Sequence, residues 1–166
     1  MNILALDFGT ATGYCLGNGL EILDAGTWQL ASKKEIPEWR RLRWDRKKDP
    51  RISRLWELLW KRISHPDWVV FEDVEFSSYT KQNQLWSSFR AVAWLRFPMA
   101  RFECVPVGTL KKFATGSGNA TKEMMRAALK RHTDYGSAAF GRDDNAVDAI
   151  WVWLWAKQNL GRIGHH

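Results

Sequence analysis

"ILALDFGTATGY", residues 3–14, decides how this chain is read. Four apolar residues run straight into one carboxylate, Asp7, and a small, flexible turn follows it. A short apolar run bounded by turn residues predicts a strand buried on both faces. A charge at its end is either a local turn residue or a group held at the rim of a sheet for chemistry. Working outward, residues 2–7, 13–17 and 20–30 predict three strands, with Gly9, Gly13 and "GNG" in the turns. Connections this short predict antiparallel hairpins.

Further along, "RISRLWELLWKRI" (51–63) sets Ile52, Leu55, Trp56, Leu59 and Ile63 at helical spacing, with Trp56 and Trp60 expected on its core face. "DWVVFE" (67–72) predicts a short strand ending on Glu72. Residues 80–96 predict a helix, and "RFECVPV" (101–107) another strand. A glycine-rich turn, "ATGSGNAT", leads into the helix "KEMMRAALKRH", with Asn119 or Thr121 able to cap it. A last helix starts near "RDDNAVDAIWVWLWAKQ". Three strands followed by alternating helices and strands predict an α/β sheet with helices on both faces. There are no internal repeats and no dividing linker, so residues 1–166 are read as one domain.

With 45% hydrophobic residues the chain is globular rather than disordered. No apolar run approaches the roughly 18 residues of a membrane span. No basic segment precedes the first apolar stretch, which argues against a signal peptide. Cys15 and Cys104 show neither metal-ligand spacing nor a disulfide framework, which fits a reducing cytoplasm. The net charge of +7 is unevenly placed. Residues 33–62 hold twelve Lys/Arg against five Asp/Glu, and the rest of the chain balances at thirteen against thirteen. Within that segment "EWRRLRWDRKKDPR" (38–51) interleaves Arg40, Arg41 and Arg43 with Trp39 and Trp44. Cations among aromatics suit a surface that neutralises phosphates and stacks on bases, so nucleic acid is the expected partner.

Asp7 and Glu72 hold equivalent places, each ending a β-rich apolar run. If their strands are parallel neighbours, the carboxylates meet at the rim where open α/β sheets carry their sites. In "DDNAVDAIW", Asp144 and Asp148 are four apart and share a helix face. Capping explains Asp143 or Asp144 but not Asp148, which sits among Ala146, Val147, Ala149 and Ile150 where an unpaired charge is expensive. Clustered carboxylates repel unless a cation lies between them. An all-oxygen ligand set points to Mg²⁺, with Mn²⁺ able to substitute. Two such ions about 4 Å apart can hold the attacking water and the leaving oxygen of a phosphodiester.

These residues carry a family resemblance. "LALDFGTATGYCLG", "VVFEDVEF" and "DDNAVDAI" are similar to the first, second and last motifs of the RuvC Holliday-junction resolvases, particularly their short phage-type members. "TLKKFATGSGNATKEMM" resembles the family's lysine, glycine-turn, lysine stretch. The resemblance covers most of the chain and implies an RNase H-like mixed five-stranded sheet flanked by helices on both faces. It implies metal-binding roles for Asp7, Glu72 and Asp148, and DNA contacts for Lys111 and Lys122. It also implies cleavage of branched DNA, above all four-way junctions, by a homodimer making two symmetric nicks. The family often places an acidic residue or histidine three positions before its last Asp; here that position is Asn145, with Asp144 one earlier. The shared helix face favours Asp144 as the fourth ligand. The basic stretch at 38–51 is longer and more charged than the family's pattern.

Two other enzyme readings share the "DFGT" opening. Actin-like ATPases close two such domains around a nucleotide, whereas 166 residues supply one. The YqgF group of small RNase H-like nucleases, acting on RNA, usually has a different third motif and no basic insert. A non-catalytic nucleic-acid-binding module would keep the basic segment and lose carboxylates, yet Asp7, Glu72 and Asp148 are all present.

Overall fold

A computed structural model of the protein describes residues 1–43, 48–73, 80–132 and 143–160. Strands β1 (Ile3–Asp7), β2 (Ala11–Gly17) and β3 (Ile22–Gln29) form the expected antiparallel meander. β4 (Trp68–Asp73) pairs parallel with the free side of β1, and β5 (Arg101–Pro106) pairs parallel with β4. The result is a mixed five-stranded sheet in the order β3-β2-β1-β4-β5. Its helices are α1 (Glu35–Arg41), α2 (Pro50–Arg62), α3 (Thr80–Arg96), α4 (Val107–Thr115), α5 (Lys122–Arg131) and α6 (Asp144–Leu160).

β1 lies at the centre, and its side chains alternate between two cores, as the two-residue period of a strand requires. Ile3 and Ala5 join Leu110 of α4, Met125 and Leu129 of α5, and most of α6. Leu4 and Leu6 join Leu55 and Leu59 of α2 and Phe89 and Val92 of α3. Both faces are therefore covered, which explains why β1 reads as an unbroken apolar run.

Helices α6 and α2 are buried differently. α6 is buried around most of its circumference, from Ala146 to Leu160, and Trp153 is fully enclosed. It rests on the β2 face that carries Gly13, Cys15 and Gly17. A Cβ on Gly13 would stand 1.9 Å from the carbonyl oxygen of Asn145, and one on Gly17 would stand 2.5 Å from the Trp153 indole. Gly13 is thus a strand residue that lets a helix backbone approach, and not the turn residue expected from sequence. In α2 the buried stripe is Leu55 and Leu59, continued by Ile63 just past its end. Trp56 and Trp60, expected in the core, are 37% and 55% exposed and lie one position off that stripe. They meet edge to face at 5.7 Å, and the Arg96 guanidinium covers Trp60 at 4.0 Å.

Local signals set the helix ends. Asp49 caps α2 by accepting from the Arg51 N–H, with Pro50 at the first position. Of the two cap candidates for α5 it is Thr121 that serves, accepting from the Met124 N–H. Two helices were not anticipated. α1 buries no residue, and α4 buries Leu110 alone, so neither writes an apolar period into the sequence. Gly116, at φ 85°, ends α4 in the left-handed conformation that glycine adopts without penalty.

Candidate metal and nucleic-acid site

The parallel pairing of β1 and β4 runs Ile3 with Trp68 through Leu6 with Phe71. Asp7 and Glu72 are the next residue on each strand, so two adjacent strands deliver two carboxylates to one rim. Asp148 comes down on them from the second turn of α6, the helix lying directly over β1 and β2. The three acids line a cavity of about 240 Å³ together with Val107, Lys111, Met125 and Lys122. The sequence expectation for Asp7, Glu72, Asp148, Lys111 and Lys122 thus brings all five side chains to one cavity.

Burial and the charge of neighbouring carboxylates raise all three carboxyl pKa values. Asp7 is pushed up to about 8, first by burial, then by the charges of Glu72 and Asp148, against the pull of Lys122. Glu72 rises to about 7 through burial and Asp148, with Lys111 and Lys122 opposing. Asp148 rises to about 6 through burial and then Asp144, with the same two lysines pulling down. Two lysines do not offset three confined carboxylates. A divalent cation would complete that balance, and a donor set made only of carboxylate oxygens suits a hard ion such as Mg²⁺ or Mn²⁺. Among the described residues, no three His, Cys, Asp or Glu side chains already form a closed metal cage.

The fourth acid stands apart. Asp144 is not among the residues lining the cavity; its carboxylate accepts from the Arg126 guanidinium of α5. Its charge still reaches Asp148. Asn145 turns its backbone and side-chain N–H groups to Asp143 Oδ1. Neither Asp144 nor Asn145 therefore reaches the cavity in this arrangement.

Of the basic segment, Arg40, Arg41 and Arg43 are exposed at and just after the end of α1. Trp44 lies outside the described residues. Arg40 helps line a second cavity, of about 340 Å³, beside Phe8, Thr10, Arg51 and Trp86. Sequence reasoning singled out neither Arg51 nor Trp86.

No protein-family model matches the chain, and no curated protein matches it. Solved structures do. RuvC of Thermus thermophilus in complex with a Holliday junction substrate superposes with a TM-score of 0.68 at 17% identity, over 99% of this chain and 96% of that one. A second structure of Thermus thermophilus RuvC gives 0.62 at 18% identity, over 99% and 97%. This chain has the RuvC fold. The RuvC fold also extends to a fowlpox virus resolvase bound to Holliday junction DNA, at a TM-score of 0.55 and 13% identity over 96% and 99%. Among the described residues no helix is long and apolar enough to cross a membrane.

Proposed function

We propose that the protein is a divalent-metal-dependent endonuclease that cuts branched DNA, resolving four-way junctions by paired nicks from a homodimer. The observation that carries this reading is the meeting of Asp7, Glu72 and Asp148 with Lys111 and Lys122 in one cavity. The likeness to two resolvases described in complex with Holliday junction DNA supports the choice of substrate.

In this reading Asp7, Glu72 and Asp148 hold Mg²⁺ or Mn²⁺, two ions per site, with Asp144 as the fourth acid. Bound ions of this kind supply an activated water and stabilise the leaving oxygen of the phosphodiester. Lys111, half-buried on α4, and Lys122, in the first turn of α5, neutralise the phosphate drawn to the acids. A cation in a helix's first turn opposes the macrodipole by a few tenths of a kcal/mol, so Lys122 has a weak structural reason to be there and a strong electrostatic one. Arg40, Arg41 and Arg43 contact DNA phosphates on either side of the branch. A junction has two strands to nick symmetrically, which a two-fold dimer with one site per subunit achieves.

The direct test incubates the protein with labelled junction, replication fork and linear duplex, with and without Mg²⁺. Paired symmetric nicks in the junction, dependent on Mg²⁺, are expected. Equal cutting of all three substrates would remove branch specificity, and no cutting in Mg²⁺ or Mn²⁺ would remove the enzyme reading altogether.

A further inference from the structure

The second cavity lies across the sheet from the acidic one. Consecutive residues of an extended chain point to opposite faces. Asp7 lines the cavity on the α4–α6 side, whereas Phe8 packs into the α2–α3 core. The two cavities are thus walled by neighbouring residues whose Cα atoms are about 3.8 Å apart, and both flank the rim where β1 ends.

The chemistry of this cavity differs from that of the first. None of its lining residues is acidic, so it has no ligand set for a metal ion. Its aromatic walls are fixed: the Trp86 indole N–H donates to the Phe8 carbonyl at 3.2 Å, and the Phe8 ring stacks on Phe89 at 5.8 Å. Arg51 is fixed as well. Its Nε and Nη2 donate to Asp49, and its Nη1 donates to Thr10 Oγ1 at 3.1 Å. Asp49 neutralises that guanidinium, which leaves Arg40, exposed and without an ion-pair partner among the described residues, to attract an anion. Gln82 adds an amide at the same cavity.

Flat rigid aromatic walls, amide and hydroxyl groups and one available cation make up a site for a base carrying its phosphate. The volume of about 340 Å³ falls in the small-ligand range and is far below what a duplex needs. We propose that this cavity takes a single unpaired nucleotide of the DNA strand beside the cut phosphate, its base against Trp86 and Phe8 and its phosphate at Arg40. The proposal rests on the nuclease reading and gives it a source of branch preference. Extruding a base from intact duplex costs a few kcal/mol, and a base already unpaired at a branch avoids much of that cost.

The test reads binding, so that it does not depend on cutting. Junctions carrying 2-aminopurine singly at each position around the branch are titrated with protein in Ca²⁺, beside a linear duplex of the same sequence. One position is expected to change fluorescence on binding, Trp86→Leu to abolish that change, and Trp86→Phe to retain it. Losing one stacked base should weaken junction binding by about tenfold and leave duplex binding unchanged. Arg40→Ala, a surface change that spares folding, should lower the junction's salt slope by about 0.7, the value for one single-strand phosphate. The proposal is overturned if no position responds, if the response survives Trp86→Leu, or if Trp86→Phe or Arg40→Ala weakens junction and duplex equally. Mg²⁺ cleavage assays on the same samples report on the nuclease reading separately.

Discussion

Arg126 of α5 grips the carboxylate of Asp144, four residues before Asp148 on α6. The acid that shares a helix face with a proposed metal ligand is therefore held by a cation away from the cavity. If Asp144 swings in when metal binds, Asp144→Ala should lower cleavage by about 100-fold or more, while Asn145→Ala stays within about tenfold. Arg126→Ala separates the roles. Activity kept in that variant marks Asp144 as a ligand, and a loss equal to that of Asp144→Ala reduces it to a partner for the guanidinium.

Asp7→Asn and Glu72→Gln should abolish cleavage and leave junction affinity within a few-fold of wild type. Both side chains face other carboxylates and lysines in the cavity, so DNA binding loses little when they are neutralised. Gel-shift titrations in Ca²⁺ alongside cleavage in Mg²⁺ decide it. Robust cutting by either variant would remove these acids from the metal site.

The metal-free protein should lose stability as the pH rises from about 4 to about 8. Asp7, Glu72 and Asp148 have folded-state pKa values raised to about 8, 7 and 6, above the usual carboxylate range near 4. Between those limits the folded state binds more protons than the unfolded one, so stability falls with pH. Asp7→Asn should therefore melt higher than wild type at pH 8 in EDTA, and the gap should close near pH 4. Added Mg²⁺ should stabilise wild type more than the variant. Melting curves at pH 4, 6 and 8 measure all of this, and a flat pH response would contradict the raised values.

Arg41 and Arg43 are exposed beside Arg40, at the end of α1 and just beyond it. If they meet duplex phosphates, replacing both with Ala should lower the slope of log affinity against log salt by roughly 1.8, or 0.9 per contact. The loss should be similar on junction and duplex, unlike the Arg40 response. An unchanged slope would put the duplex path elsewhere.

The acidic rim was legible because two β-rich runs, those of β1 and β4, are short, apolar and closed by Asp7 and Glu72. Parallel pairing of β1 with β4 was left as a condition by the sequence and is supplied by the sheet. The orientation of α2 was not legible, since Trp56 and Leu55 differ by one position and both are apolar. Which of the two stripes faced the sheet was settled by packing against α3, information that no local window contains. The second cavity was hidden for a similar reason. It joins Thr10, Arg40, Arg51 and Trp86, four residues spread over three separate stretches of chain. The Arg126–Asp144 pair was hidden too, because a charge at a helix start reads as a cap until a partner on another helix is seen.

The contact of Gly13 with Asn145 gives the sheet a say in where Asp148 stands. Any side chain at that glycine would lift α6 and carry the acid with it, away from Asp7 and Glu72. If the nuclease reading holds, a selection for inactive alleles should return changes at Gly13 that spare every acid and every residue proposed to contact DNA. In such alleles the lesion is mechanical: the proposed metal ligands are all present, and the shim that sets their spacing has the wrong thickness.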